Sequence, residues 1–66
     1  MYNKLNTMDK KPIYYTIEEV SNIFKVSPES VRRWVRAKKL PAIKLGGKYI
    51  RIEAKSLNVF IEKAKI

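Results

Sequence analysis

Three arginines near the middle of the chain, Arg32, Arg33 and Arg36, have a spacing that fits the exposed side of one helix. At about 100° per residue, Glu29, Arg33 and Arg36 share the outer face of such a helix, and Ser30 and Arg32 flank it. An arginine guanidinium can donate two hydrogen bonds to guanine O6 and N7, or clamp a phosphate with its planar fork. The pattern indicates contact with nucleic acid; the alternative is a face of charged side chains that contact only water.

The helix that carries these arginines has a clear predicted start. Ser27 is a good N-cap, and Pro28 occupies the first helical position, where its missing N–H costs nothing. The inner face is expected to pack on the core and comprises Val31, Trp34, Val35 and Lys38. Trp34 is expected to pack at the edge of the core rather than to serve as a stacking platform.

A shorter helix of about two turns is predicted just before it. Thr16 and Glu19 have the spacing of a capping box, and Tyr15 and Val20 have that of a hydrophobic staple. The predicted buried stripe comprises Ile17, Val20, Ile23 and Phe24. Only residues 25–27 separate the two helices, and two helices joined by so short a turn form a helix-turn-helix pattern.

The hydrophobic pattern changes from helical to alternating after Leu40-Pro41. Two alternating segments, 42–45 and 49–52, flank the pair Gly46-Gly47, which predicts a β-hairpin with glycine in its turn. The basic residues on or beside this hairpin are Lys44, Lys48 and Arg51. Such a projection can contact phosphates or a minor groove, or can simply close the core.

The two ends of the chain complete the predicted organisation. Residues 1–12 are polar and mildly basic and are expected to form a flexible N-terminal arm, followed by one domain over residues 13–66. Leu57, Phe60 and Ile61 fall on one face of a third helix, predicted over residues 54–64. This helix is expected to seal the core, although its start lacks a good capping residue.

The chain is strongly basic, with 15 Lys and Arg against six Asp and Glu and a formal net charge of +9. Residues 25–48 contain eight basic residues and a single acidic one, Glu29. One strongly basic face is expected for a polyanionic partner, whereas the alternatives are a solvated surface or an anionic membrane surface. No apolar run approaches the roughly 20 residues of a membrane span, and we expect no membrane partner.

The composition also argues against an enzyme. A chain of 66 residues is hard to fold around an enclosing catalytic cleft. It contains no histidine and no cysteine, which removes the commonest general base, the thiolate ligands and disulfides. We therefore expect no catalytic residues, no cofactor and no metal ion.

Residues 15–61 resemble the excisionase-like, MerR-type helix-turn-helix domains. The matching pieces, in order, are Tyr15-Thr16, Val26-Ser27, Val31-Arg32-Arg33-Trp34, Leu40-Pro41-Ala42, Gly46-Gly47, Arg51-Ile52 and the closing Leu57, Phe60 and Ile61. Each piece alone is weak, but their order and spacing are specific. The resemblance implies an α+β, mostly α fold: a small winged helix-turn-helix with a two-helix unit, a β-hairpin wing and a C-terminal helix.

The resemblance also implies where double-stranded DNA binds, because in this family the second helix enters the major groove and the wing contacts the adjacent backbone or minor groove. The recognition-helix residues are Ser27, Glu29, Ser30, Arg32, Arg33 and Arg36. The wing residues are Lys44, Lys48, Tyr49 and Arg51. Contacts to the DNA backbone are expected from Thr16, at the start of the first helix, and from Lys39, in the linker.

The function implied is that of a cytoplasmic, non-catalytic accessory factor of a phage or mobile element. Excisionases of this type bind DNA repeats, which makes further copies of the chain and an integrase or recombinase the expected partners. Because the chain begins with Met and ends soon after the third helix, we expect no effector or coiled-coil domain. The alternatives are a small MerR-type transcriptional regulator, the N-terminal domain of a larger regulator or transposon recombinase, or a basic module that binds proteins or membranes.

The sequence departs from the family pattern at two turns. The family usually has glycine in the helix-turn-helix turn and again after the second helix, where this chain has Lys25 and Lys38. A lysine can adopt the left-handed backbone conformation, but at a cost that glycine avoids. Either the two turns differ from the family's, or the lysines adopt that conformation and are tolerated for their charge. The family's frequent proline after the second strand is replaced by Glu53.

Overall fold

The computed structural model describes residues 12–66, which form three helices and a small antiparallel sheet. The elements, in order, are β1 (Tyr14–Tyr15), α1 (Ile17–Phe24), α2 (Pro28–Arg36), β2 (Ile43–Leu45), β3 (Tyr49–Glu53) and α3 (Ala54–Ala64). The predicted fold is thereby confirmed: a helix-turn-helix, a hairpin wing (β2, β3 and their turn) and a C-terminal helix. The predicted N-terminal arm lies, up to residue 11, outside the described residues.

The capping box predicted at the start of α1 is present. Thr16 Oγ1 accepts a hydrogen bond from the Glu19 N–H at 3.0 Å, and Glu19 Oε1 accepts one from the Thr16 N–H at 2.8 Å. The predicted burial of Ile23 is wrong, because its side chain is 49% exposed. Ile23 follows Ile17 by six residues, which places it about 240° round the helix and away from the core. Ser21 is buried instead, with its hydroxyl donating to the Glu18 carbonyl at 2.7 Å.

The turn between α1 and α2 keeps left-handed geometry without a glycine. Lys25 has a φ of 59°, and the next N–H, that of Val26, donates to the Ser21 carbonyl at 3.0 Å. A left-handed residue followed by this six-to-one hydrogen bond is the Schellman type of helix end. Val26 then packs against the core at the position after the left-handed residue, where such a motif favours an apolar side chain.

The second helix begins as predicted and ends in the same way as the first. The Ser27 side chain accepts from the Ser30 N–H at 3.2 Å, and Pro28 stands in the first turn. Past the end of α2, Lys38 has a φ of 63° and donates to the Val35 carbonyl, and the Lys39 N–H donates to the Trp34 carbonyl at 2.9 Å. The placement of Lys38 on the inner helix face is therefore wrong, because the helix ends at Arg36 and Lys38 is exposed in the turn.

The sheet has the order β1-β3-β2, and its first strand was not predicted. Tyr14 and Tyr15 pair with Glu53 and Ile52, and the Ala54 N–H donates to the Ile13 carbonyl at 2.8 Å. These contacts join the beginning of the domain to the start of α3. A strand of two residues is too short to show a periodic pattern in the sequence, and its pairing partners lie almost 40 residues away.

The register of the hairpin determines which side chains face outward. Ile43 pairs with Arg51 and Leu45 with Tyr49, so these four side chains share one face. The side chains of Ile43 and Leu45 are 44% and 49% exposed, and neither belongs to the buried core. Both central residues of the turn, Gly46 and Gly47, have positive φ (58° and 69°), as expected from a two-glycine hairpin turn.

The core lies where the inner faces of the three helices meet β3. Its buried side chains are Ile17, Val20, Val31, Leu40, Ile52 and Leu57. Beside it, the rings of Phe24, Trp34 and Phe60 pack with centroids 5.1–6.1 Å apart, one ring from each helix. Trp34 is half-buried at the core edge, as predicted, and α3 seals the open side of the core. The N-cap of α3, Glu53, makes no side-chain capping hydrogen bond.

Candidate nucleic-acid interface

The outer face of α2 is exposed along its length and carries the charged residues predicted for it. Glu29, Arg32, Arg33 and Arg36 are all exposed, on a helix whose opposite side buries Val31. At the beginning of the helix, the hydroxyls of Ser27 and Ser30 lie 3.1 Å apart and hydrogen-bond to each other. The amphipathic sequence of α2 thus fixes which side packs and which side is free to meet a partner.

Two of the three arginines on this face are paired with Glu29. Arg36 Nη2 donates to Glu29 Oε2 at 3.0 Å, and Arg32 Nη1 lies 3.5 Å from Glu29 Oε1. The hydrogen bond from Arg36 is the main cause that lowers the pKa of the Glu29 carboxyl below its ordinary value of 4.5, and the Arg32 and Arg33 charges act in the same direction. Among residues 12–66, no ion pair involves Arg33, so its guanidinium remains available to a ligand.

A second part of the surface, here called the wing cleft, lies between the start of α1, the middle of α2 and the hairpin. Residues far apart in sequence meet in it, and its walls comprise Thr16, Ile17, Glu18, Arg32, Lys48, Tyr49, Ile50 and Arg51. The cleft therefore brings together five predicted site residues from three elements. Three of these five are cationic, and the cleft has one carboxylate, that of Glu18.

Tyr49 organises the cationic side of the wing cleft. Lys48 Nζ lies 5.5 Å from the centre of the Tyr49 ring, and Arg51 Cζ lies 5.9 Å from it. Both distances are within the range of cation–π attraction, which fixes the two cations relative to the ring. Arg51 Nη1 also donates to the Ile50 carbonyl at 2.9 Å, which further restricts its guanidinium. The wing thus presents an ordered pair of positive groups.

Two predicted residues lie outside both the wing cleft and the outer face of α2. Lys44 lines a depression on another side of the hairpin, together with Val35, Lys38 and Leu40. Lys39 lines two depressions against α3, one of them with Phe60 and Lys63. The structure therefore does not bring either lysine together with Arg32 and Lys48.

One charged residue of the wing cleft was missed in the sequence-based prediction. Glu18 lines the cleft at the second position of α1, two residues after Thr16. The signal was present in the sequence, since any side chain in the first turn after a capping residue shares that end of the helix. A carboxylate there opposes anion binding and limits how closely a phosphate can approach this part of the cleft.

The described part of the chain offers no metal-binding cluster and no membrane-spanning helix. Within residues 12–66 there is no group of three or more histidine, cysteine, aspartate or glutamate side chains arranged to hold an ion. In the same range, no helix has both the length and the apolar character needed to cross a bilayer.

In the comparison with known families, the model of the helix-turn-helix domain family matches residues 14–65 of the chain. The chain belongs to this family of small, excisionase-like DNA-binding domains. The resemblance noted in the sequence is thereby confirmed, and the protein is a DNA-binding helix-turn-helix protein. The domains of this family are typically non-catalytic. Neither a curated protein nor a solved structure matches the chain at a significant level.

Proposed function

We propose that this domain binds double-stranded DNA at specific sequences, with α2 in the major groove and the wing on the adjacent backbone or minor groove. The observation that carries the proposal is the wing cleft, which joins the arginine-bearing face of α2 to the cationic hairpin. Family membership supports DNA binding, and the arrangement of side chains indicates the surface.

The dimensions of α2 suit this role. A nine-residue helix is about 13 Å long, and the major groove of B-DNA is wide enough to admit one helix. With α2 in the groove, Glu29, Arg33 and Arg36 on its outer face reach base edges. The proposed phosphate contacts flank that face, from Ser27, Ser30 and Arg32 at the helix and from Lys48 and Arg51 at the wing. Tyr49 and Thr16 lie beside them in the same cleft, and Lys44 and Lys39 contact more distant phosphates.

The biological role that we propose is that of an excisionase-like accessory factor. A single module of this size buries only about 600–1,000 Å² on DNA, so it makes few base contacts. Useful selectivity for a DNA site then requires two or more copies of the chain bound to neighbouring repeats. Such an array of copies can direct a recombinase to the DNA that carries those repeats. The proposed partners are thus DNA, further copies of the chain and an integrase.

The proposal is tested by selection from a pool of random 30-base-pair duplexes, with mobility-shift separation and sequencing at two salt concentrations. We expect an enriched motif that occurs in repeats, and an affinity that falls steeply as salt rises. A single isolated site bound tightly by one copy contradicts the accessory role. Equal binding to all sequences, or no binding, contradicts the proposed sequence-specific function.

A further inference from the structure

Glu29 is the only acidic residue in α2, and it lies in the first turn of the helix, on the face proposed to contact DNA. A carboxylate in such a place repels phosphate, so it lowers the affinity of this surface for the DNA backbone. Its side chain nevertheless makes two contacts on this face, with Arg36 two turns away and with Arg32 one turn away. The arrangement points to a function for the negative charge itself.

The geometry leaves hydrogen-bonding capacity on all three side chains. An ionised carboxylate has about four acceptor positions, and the two arginines occupy at most two of those of Glu29. Each guanidinium has five N–H donors, most of which remain free. The three side chains therefore form one prearranged surface that offers both an acceptor and donors to DNA.

The same pairing weakens contact with DNA of unrelated sequence. Such binding depends almost entirely on phosphates, and here Glu29 offsets part of the positive charge that Arg32 and Arg36 would bring to them. The carboxylate also repels the phosphates that they would approach. In a matching site the pair of Glu29 and Arg36 can persist, because Arg36 meets guanine acceptors and Glu29 meets the amino group of a cytosine.

We propose that Glu29 is a specificity-determining residue, which holds Arg36 toward the bases, penalises phosphate-only binding and accepts a hydrogen bond from a cytosine amino group. This inference rests on the proposed function and deepens it, because it names the residue that sets the selectivity of the surface. Specificity is a difference between two affinities, and a charge left unpaired against the wrong partner increases that difference.

The chain offers a matched control for this inference. On α3, Glu62 Oε2 accepts from Lys65 Nζ at 3.0 Å, the same distance as in the Glu29–Arg36 pair. Both carboxylates are more than half exposed, and Glu62 lines none of the depressions around the wing or α2. Glu62→Gln therefore removes one charge, as Glu29→Gln does, but away from the proposed DNA surface; it breaks one exposed ion pair, whereas Glu29→Gln breaks two.

The experiment measures binding of the wild type, Glu29→Gln and Glu62→Gln to two duplexes, the one enriched from the random pool and a scrambled version of it, over a salt series. We expect Glu29→Gln to bind the scrambled duplex more tightly and to lower the ratio of the two affinities by about tenfold, the size of one good base contact. Its salt slope on the scrambled duplex should steepen by about one, because a released arginine then neutralises a further phosphate. Glu62→Gln should leave the ratio unchanged.

A repeated selection with Glu29→Gln adds a readout that loss of stability cannot imitate. Glutamine pairs with adenine N6 and N7, so we expect the preference at one position to change from cytosine to adenine while the rest of the motif persists. Far-UV circular dichroism of each variant confirms that it is folded. If folded Glu29→Gln keeps the affinity ratio and the motif of a wild type that still discriminates between the duplexes, the role of Glu29 is overturned and the proposed function stands. If the wild type enriches no motif, the proposed function is overturned as well.

Discussion

Arg33 differs from its neighbours because no carboxylate engages it among the described residues, whereas Arg32 and Arg36 both contact Glu29. An unpaired guanidinium on the outer face of α2 can present all of its donors and its full charge to a base. We therefore predict that Arg33→Ala costs about 1–3 kcal/mol on the selected duplex and relaxes the preference at one position. Fluorescence anisotropy titrations on the selected and scrambled duplexes measure this effect.

Lys63→Ala is the control for that prediction, because it removes an exposed positive charge in the last turn of α3. Lys63→Ala should weaken binding to both duplexes slightly and equally. If Arg33→Ala also weakens binding to both duplexes equally, Arg33 contacts a phosphate rather than a base.

The pairing of Glu29 with Arg36 also predicts a measurable titration. The Arg36 hydrogen bond is the largest cause of the lowered pKa of Glu29, so Arg36→Gln should raise that pKa toward its ordinary value of 4.5. Arg33→Gln, which removes only a charge acting through space, should raise it less. Carbon-detected NMR of the side-chain carboxyl across the acidic range gives the pKa of each variant.

The sign of the accompanying stability effect follows from linkage. A carboxyl whose pKa is lower in the folded state stabilises the fold above its unfolded pKa, and that contribution is lost as the pH falls through the lowered value. The free energy of unfolding of the wild type should thus decrease more than that of Arg36→Gln as the pH falls through the acidic range. Equal decreases would show that the pair does not survive in solution.

At the scale of elements, Lys25 and Lys38 adopt the left-handed backbone conformation just after the ends of α1 and α2. Glycine would be less strained than lysine at both positions. Lys38 has a φ of 63°, whereas the neighbouring Lys39 is not at positive φ. We predict that Lys38→Gly stabilises the domain by about 0.5–1 kcal/mol, because relief of about 1–2 kcal/mol of strain exceeds the entropic cost of glycine. Lys39→Gly removes the same charge without that relief and should destabilise by about 0.5–1 kcal/mol.

Urea unfolding of the two variants measures both changes, and an equivalent thermal experiment should show shifts of several degrees in opposite directions. Destabilisation of both variants by the same amount would mean that the left-handed conformation costs lysine nothing here. A stabilised but weakly binding Lys38→Gly would indicate that the lysine is retained for its charge.

The sequence predicts those elements whose signals are local. Thr16 with Glu19, Ser27 with Pro28, and Gly46 with Gly47 each determine a boundary within a few residues, and all of them have the predicted structural role. β1 escaped prediction because pairing with β3 alone defines it. The exposure of Ile43 and Leu45 also depends on register, since an apolar alternation shows a two-sided strand but not which side the rest of the molecule covers.

The candidate site was predictable to a similar degree. The face of α2 follows from helical periodicity, so the exposure of Arg33 and Arg36 needs no tertiary information. The meeting of Thr16 with Lys48 and Arg51 in the wing cleft depends on how the hairpin folds back beside α1, which no local pattern contains. For the same reason Lys39, which is near α2 in sequence, lies instead against α3.

At the scale of the whole molecule, the net charge of +9 does not by itself identify the DNA-binding surface. Cations line the wing cleft, but four lysines also surround a depression on the α3 side: Lys38, Lys39, Lys55 and Lys63. If DNA follows the proposed surface, a charge removed from the wing cleft should affect binding more than an equal charge removed from α3. Two double variants compare the surfaces: Arg32→Gln with Lys48→Gln, and Lys55→Gln with Lys63→Gln.

Both double variants lower the net charge by two, so the long-range attraction to DNA decreases by the same amount in each. Direct phosphate contacts are lost only where DNA touches the protein, and the loss of each one reduces the salt slope by about 0.9. We predict that the wing-cleft variant reduces the slope of log affinity against log salt by about two, whereas the α3 variant leaves it nearly unchanged. The reverse result would place the DNA against α3, and equal reductions would show that it contacts both surfaces.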